Sequence, residues 1–236
     1  MALTCLQIIQ QACGRLGINQ PAIALTSSDQ QILQIIALSN AEGSYLAQVF
    51  PFQELQTEAT FTTLAAQLQG TMDSIADGWN FILNDTIWDR TLRRPVYGAR
   101  TPQQWQQALA LTTTSPYSMY RIKGNSLYFY PVPTAGNDCA FEYITKNWVS
   151  KAAGGTSNYW ASDDDTSVIR DDLLILGIIH RWKRAKGLDY SEEKNEYDRT
   201  LAEYMARSGT RQDLSQTQTG DTYEPTVIIP SGSWMQ

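Results

Sequence analysis

Five aspartates that lie close together form the densest group of potential ligands in the sequence. Residues 163–165 are all aspartate, and Asp171 and Asp172 follow. Clustered carboxylates suit Ca²⁺, but an EF-hand loop that begins at residue 163 needs Gly at its sixth position and Glu at its twelfth. The chain has Val168 and Leu174 at those positions. We therefore predict that residues 163–165 offset the positive N-terminal end of a helix dipole.

Catalysis by a histidine or a cysteine has little support in the sequence. His180 is the single histidine, and it lies at the basic end of a predicted helix, where an imidazole is favoured electrostatically without a catalytic role. Cys5, Cys13 and Cys139 are too few for a disulfide framework or, with one histidine, for a zinc site. A carboxylate pair for glycoside hydrolysis needs only two of the 24 acidic residues, so that alternative stays open. We predict no catalytic activity, no metal and no cofactor.

The segment DTIWDRTLRRPVYGARTPQQWQQ, residues 85–107, combines aromatic and basic side chains. Such side chains stack on nucleic-acid bases or sugars, and they are also typical of protein interfaces. Because the formal net charge of the chain is −6, we favour the interface interpretation. We predict that Arg93, Arg94, Arg100 and Trp105 contact a neighbouring subunit or another protein. Trp88 is expected to be buried near the sheet.

Five tryptophans of the middle of the chain support an alternative, a module that binds or hydrolyses carbohydrate. They are Trp79, Trp88, Trp105, Trp148 and Trp160.

Composition restricts the function further. The chain has 236 residues, 42% of them hydrophobic, which is enough for a packed core. Its 18 basic and 24 acidic residues are the reverse of the charge balance of a protein that binds phosphates, so general nucleic-acid binding is disfavoured. The N-terminal sequence MALTCLQIIQQACGRLG has no basic leader, and glutamines interrupt its apolar residues. It predicts neither a signal peptide nor a membrane span, and the expected protein is soluble in a reducing cytoplasm.

Helical patterns occupy the first 51 residues. In residues 3–16 the apolar side chains recur at spacings of three and four, namely Leu3, Leu6, Ile9, Cys13 and Leu16. Gly17 is placed to end this helix. A second helix is expected to follow a cap at Ser27 or Ser28 and to run to Pro51, with a broad apolar face.

Strand patterns follow Pro51. The sequence QELQTEATFTT alternates apolar and polar residues, as a half-buried strand does. The sequence YSMYRIKGNSLYFYPVP predicts a hairpin that turns at residues 123–126, and CAFEYITKNWV predicts a further strand of the same sheet. We expect an antiparallel sheet or small β-sandwich of about four to six strands. Residues 151–165, rich in Gly, Ser and Asp, are expected to form a long surface loop.

The C-terminal part is predicted to be a helical hairpin followed by an arm. Residues 167–187 are apolar on nearly every side, so their helix must be buried in the core or between subunits. A second helix is expected after the capping-box pattern at residues 189–192, with Tyr197, Leu201, Tyr204 and Met205 on one face. Residues 209–236 are polar except for an apolar island at residues 227–229 and a terminal tryptophan.

The order of these segments resembles the head-to-tail adaptor proteins of tailed bacteriophages, also called tail tubular or head-completion proteins. The resemblance covers most of residues 1–208. It rests on a buried helix that ends in the pattern Trp182, Lys183 and Gly187, and on a hairpin whose pattern is Gly124, Asn125, Leu127, Pro131 and Pro133.

The resemblance implies an α+β fold. Residues 1–51 and 161–208 would form a helical bundle, residues 52–160 an inserted antiparallel β-rich domain, and residues 209–236 an extended C-terminal arm.

The resemblance also implies a structural virion protein at the tail and neck, assembled in the host cytoplasm. It would form a ring of twelve subunits between the portal and the tail tube or nozzle, without a membrane partner, and DNA would pass through the ring without specific binding. Arg93, Arg94, Arg100 and Trp105 would then contact the tail or a neighbour. The arm would contact a subunit or the portal through its apolar and aromatic residues, which are Tyr223, Val227, Ile228, Ile229 and Trp234.

Overall fold

Helices lie at both ends of the described chain, and most of its strands lie between them. The structure is a computed structural model and describes residues 2–110 and 117–208. The helices are α1 (Cys5–Leu16), α2 (Gln30–Val49), α3 (Met72–Ile75), α4 (Pro102–Ala110), α5 (Asp171–Ala185) and α6 (Ser191–Ser208). The strands are β1 (Gln56–Thr62), β2 (Leu68–Thr71), β3 (Trp79–Ile82), β4 (Trp88–Asp89), β5 (Arg94–Pro95), β6 (Met119–Lys123), β7 (Ser126–Tyr130), β8 (Asp138–Thr145), β9 (Val149–Ser150), β10 (Thr156–Ser157) and β11 (Thr166–Ser167). The predicted α+β fold class is confirmed.

Side-chain caps fix the beginnings of the first two helices. Thr4 and Gln7 form a capping box at α1, and Gly17 ends that helix with a left-handed φ of 69°. Helix α2 begins after Asp29, whose carboxylate accepts the Gln31 N–H at 2.9 Å, so the predicted cap at Ser27 or Ser28 is wrong. An aspartate one residue further along satisfies the same free N–H groups.

Helix α5 forms the centre of the helical layer. Eight consecutive residues, 173–180, are buried, and α1, α2 and α6 all pack against this helix. Its all-round apolar character is therefore satisfied inside one chain, in the core rather than between subunits. Consequently, the composition of α5 is not evidence for a subunit interface.

A buried carboxylate links three helices of this layer. Glu42 of α2 is fully buried and accepts hydrogen bonds from the Tyr197 hydroxyl, at 2.5 Å, and from Arg181 Nε. Burial and the nearby Glu42 charge raise the pKa of Tyr197, so its hydroxyl stays a donor. A Cβ on Gly177 of α5 would lie less than 3.0 Å from the Glu42 side chain, so this close approach requires glycine.

Strand β8 is the centre of the larger sheet. It pairs antiparallel with β1 along one edge and with β3 and β4 along the other, and β5 extends the sheet beyond β4. The predicted hairpin forms as β6 and β7 and joins β2 in a separate three-stranded sheet. The prediction that residues 139–149 add a strand to the hairpin sheet is therefore wrong. Residues 138–145 pair with β1, which is distant in sequence, and the local sequence does not determine which strand they join.

The two sheets face each other across an apolar interior, as in the sandwich alternative, but they contain eight strands rather than the predicted four to six. Phe61 of β1 contacts Phe129 of β7 and Phe141 of β8, with ring centroids 5.9 and 6.1 Å apart. Tyr120 and Leu127, on the inner side of the hairpin, belong to the same buried cluster. These aromatic and aliphatic side chains therefore mark the inner face of each sheet.

Residues 151–165, predicted as a surface loop, are mostly exposed, but Ser157, Trp160 and Asp165 are buried. They contribute β10 to a small sheet with β9 and β11. Trp160 is 3% exposed, its ring lies 4.8 Å from that of Trp148, and its Nε1–H donates to Ser39 Oγ of α2 at 2.8 Å. The predicted loop is therefore at the surface, and Trp160 anchors it to the core.

The carboxylates of Asp163 and Asp165 accept backbone N–H groups and do not lie at the start of α5. Asp163 accepts the N–H groups of Ala24 and Leu25, both at 2.9 Å, and Asp165 accepts three others. The prediction that residues 163–165 compensate the α5 dipole is wrong, because α5 begins only at Asp171. Asp171 and Asp172 occupy its first turn instead.

Candidate functional site

The predicted contact segment, residues 85–107, crosses from one sheet to the other. Trp88 lies in β4 and is half-buried, while Arg93 and Arg94 are exposed at the turn into β5. Arg93 adopts a left-handed φ of 56°, a conformation uncommon for residues other than glycine. Arg94 pairs in register with Asp89. These two arginines face solvent on the five-stranded sheet.

Arg100 and Trp105 lie elsewhere, beside the three-stranded sheet. The main-chain N–H of Arg100 donates to Tyr120 O at 3.0 Å. Trp105 is 5% exposed, and its ring lies 6.2 Å from that of Tyr130, so it anchors α4 to the outside of the sheet. The structure thus separates the four predicted contact residues into two places and encloses the Trp105 ring within the subunit.

An open groove of about 900 Å³ crosses the outer face of the five-stranded sheet. We call it the acidic groove, because four carboxylates and two guanidinium groups are among its ten lining residues. These are Glu58, Asp85, Thr86, Trp88, Asp89, Arg90, Arg93, Ala140, Phe141 and Glu142. Glu58 forms an ion pair with Arg90, and Glu142 accepts a hydrogen bond from Gln56. The groove collects charges from three strands that are distant in sequence, so no local pattern could predict it.

The outer face of the three-stranded sheet has the opposite charge. We call it the basic face, and we define it by Arg121 and Lys123 of β6, Tyr128 of β7, and Trp105 and Leu109 of α4. These residues line a small cleft of about 200 Å³ together with Gln67 and Gln106. Neither Arg121 nor Lys123 forms an ion pair with a described residue. The alternation of β6 could have indicated this face, because Arg121 and Lys123 occupy its polar positions.

Comparison with known proteins identifies the family. The SU10 adaptor protein family matches residues 3–229 of the chain, which is nearly all of it. The chain belongs to the SU10 adaptor protein family. The resemblance to bacteriophage head-to-tail adaptors is thereby confirmed. No curated protein matches the chain.

Membership of the SU10 adaptor family agrees with the placement of the tryptophans. A ring that stacks on a sugar must be accessible, but Trp105, Trp148 and Trp160 are 5%, 0% and 3% exposed. Trp79 donates through Nε1 to Asn125 Oδ1 at 3.0 Å. The five rings therefore do not form a shared sugar-binding platform.

The acidic groove of this SU10 adaptor family member is not arranged like a glycosidase site. Glu58 and Glu142 are opposite each other in the β1–β8 register, so their side chains share one face. Both are exposed, and each already has a side-chain partner. A general acid needs a carboxyl group in apolar surroundings, which neither residue has.

The three cysteines and the single histidine are buried. Burial raises the pKa of Cys5 and Cys13 and raises that of Cys139 to about 12, so the thiolate is disfavoured. His180 lies within α5 beside the Tyr197 ring, and burial lowers its pKa. In residues 2–110 and 117–208, no group of three or more His, Cys, Asp or Glu side chains is placed to hold a metal ion. Over the same residues, no helix is both long and apolar enough to cross a membrane.

Proposed function

We propose that the protein forms a ring between the portal and the tail tube or nozzle, where it extends the DNA channel and provides a platform for the tail. The observation that carries this proposal is the family match, which extends from residue 3 to residue 229 and so includes the helices, both sheets and most of the arm. The ring would hold twelve subunits and belong to the neck of the virion after assembly in the host cytoplasm. Its role is structural, without catalysis.

The charge of the chain supports passage of DNA without specific binding. A protein that binds the phosphate backbone clusters Lys and Arg residues and releases counterions. This chain carries a formal net charge of −6, so a ring of subunits would repel the phosphates and let DNA slide. Electrostatic repulsion between the subunits and the DNA phosphates is suited to a channel through which DNA passes.

The experiment that tests the proposal is reconstitution with the cognate portal. Purified protein, mixed with portal, should form rings that are visible by cryo-electron microscopy, and the protein should be present in purified virions. Failure to bind portal, or absence from virions, would remove the proposal. Binding on a glycan array, or release of peptidoglycan fragments, would favour the carbohydrate alternative instead.

We propose that the arm, residues 209–236, connects each subunit to the portal or to a neighbour. Its candidate contacts, Tyr223, Val227, Ile228, Ile229 and Trp234, lie outside the described residues. Three consecutive β-branched residues suit the addition of a strand to the sheet edge of a partner.

Deletion of residues 209–236 is expected to leave the fold intact and to weaken assembly. The helical layer and the sandwich are built from residues 2–110 and 117–208, so the melting temperature should change little, whereas assembly on portal should require at least about tenfold more protein. Circular dichroism and sedimentation with portal measure the two effects. The substitutions Gln216→Ala and Gln218→Ala keep the arm and all five candidate contacts and serve as the control. A chain without the arm that assembles at wild-type concentrations would show that the arm is dispensable.

A further inference from the structure

The acidic groove and the basic face lie on opposite outer surfaces of the β-sandwich. In an antiparallel pair, residues directly opposite each other point to the same side of the sheet. Glu58 is opposite Glu142, and both point away from the interior that holds Phe141. On the other sheet, Arg121 is opposite Tyr128, and both point away from the same interior. One subunit therefore cannot bring its own two surfaces together.

The charges of these two surfaces are complementary. Among the residues that line the acidic groove, three exposed carboxylates, Glu58, Asp85 and Glu142, outnumber two exposed guanidinium groups, Arg90 and Arg93. Glu58 already forms an ion pair with Arg90. The described residues that line the cleft of the basic face include Arg121 and Lys123 but no carboxylate. The basic face is therefore positively charged, although the chain as a whole has a formal net charge of −6. Complementary potentials of this kind select partners and orient them.

The shapes of the two surfaces are also suited to each other. The acidic groove is concave and open, with a volume of about 900 Å³. The basic face carries α4, whose single buried residue is Trp105, so most of this helix stands outside the sheet. Leu109 of α4 is 41% exposed, and Leu68, on the same side of the sheet as Tyr128, is 45% exposed. A projecting helix with apolar side chains is a suitable occupant for a groove that Trp88 lines.

We propose that the basic face of one subunit, with α4, docks into the acidic groove of the next subunit. Two different surfaces that lie on opposite sides of one molecule produce a heterologous, head-to-tail contact, which closes into a ring when its rotation permits. Lys123 and Arg121 of one copy then lie among Glu142, Glu58 and Asp85 of its neighbour. This inference rests on the proposed function, because it assigns the surfaces that hold the ring together.

Cross-linking with introduced cysteines tests the docking directly. Lys123→Cys and Glu142→Cys place a thiol on each surface, and the three native cysteines are buried and therefore slow to react with maleimides. In rings assembled on portal, a bismaleimide should join the two single variants when they are mixed, giving dimers. The doubly substituted chain should give a ladder of oligomers. Each single variant alone should give no dimer.

Charge reversal supplies an independent measurement. Lys123→Glu and Glu142→Lys should each weaken assembly by at least about tenfold, since each places like charges together. The chain that carries both substitutions should recover most of the loss, since the pair is restored with its signs exchanged. Glu196→Lys, on the exposed side of α6, changes the net charge as Glu142→Lys does and should have no effect.

The outcomes separate this inference from the proposed function. If the wild-type protein forms no ring on portal, the proposed function fails. If rings form but the mixed variants do not cross-link, or a single variant cross-links to itself, the docking is overturned. Docking is also overturned if Lys123→Glu leaves assembly unchanged but weakens binding of a fluorescent single-stranded oligonucleotide about tenfold, which would assign the basic face to nucleic acid.

Discussion

Replacing Gly43 with alanine is expected to destabilise the protein by about 3 kcal/mol. A Cβ at this position would lie less than 3.0 Å from three atoms of the Trp148 indole. That ring cannot retreat, because it is fully buried, its Nε1–H donates to Asn158 O at 2.9 Å, and Trp160 packs against it. Either α2 or the indole must therefore shift, and the packing between α2 and Trp148 is lost.

Gly14→Ala is the matched control for this prediction. Gly14 also lies within a helix, but it is exposed, and its added Cβ would meet only the end of the Gln20 side chain. Because alanine has the higher helix propensity, this variant should be neutral or more stable by up to about 1 kcal/mol. Urea unfolding followed by circular dichroism gives both values. Equal effects of the two substitutions would show that close approach to Trp148 is not the cause.

Asp165→Asn is expected to have the next largest effect, a loss of about 3 kcal/mol at neutral pH. Asp165 is 1% exposed, and its carboxylate accepts the N–H of Ala152 at 3.0 Å and those of Ala161 and Ser162 at 2.8 Å. An asparagine has one acceptor oxygen and turns an N–H₂ group toward donors. At least one backbone N–H then remains buried without a partner, which also loosens the segment that positions Trp160.

The Asp165 carboxylate should also make the free energy of unfolding depend on pH. Burial alone would raise the pKa of Asp165, but three backbone N–H groups and the Lys151 charge outweigh it, and the pKa lies below its ordinary value of 3.8. The stabilisation is therefore fully present above pH 3.8 and is lost as the pH falls through the folded-state pKa. The difference in unfolding free energy between wild type and Asp165→Asn should shrink over that range. Asp164→Asn changes an exposed neighbour and should match wild type at every pH.

The parts of the fold that depend on local patterns could be predicted from the sequence. The face of α6 that carries Tyr197, Leu201 and Tyr204 repeats at helical spacing, and the hairpin turn at Gly124 has the residues that such a turn requires. What could not be predicted depends on distant partners. The Asp163 carboxylate accepts hydrogen bonds from backbone N–H groups 138 and 139 residues away. The composition of the surrounding segment, residues 151–165, does not reveal these partners.

The two surfaces of the β-sandwich also depend on partners that are distant in sequence. In the segment at residues 85–107 the arginines and tryptophans are close in sequence, but the structure places Arg93 and Trp105 at different sheets. The acidic groove is built from single residues on separate strands, such as Glu58 and Glu142, and strand pairing alone brings them together. Such a surface can be identified only when the register between the paired strands is known.

Strand β8 belongs to both hydrophobic clusters of the molecule. Its residues Cys139, Phe141 and Tyr143 lie in the cluster between the sheets, while Ile144, one position further along, lies in the cluster of the helices. Loss of either cluster would strip β8 of partners on one side, so the helices and the sandwich should behave as one cooperative unit. We expect a single calorimetric transition whose van't Hoff and calorimetric enthalpies agree. In the proposed ring, each subunit would then transmit a mechanical load between its helical layer and its sandwich as one rigid body.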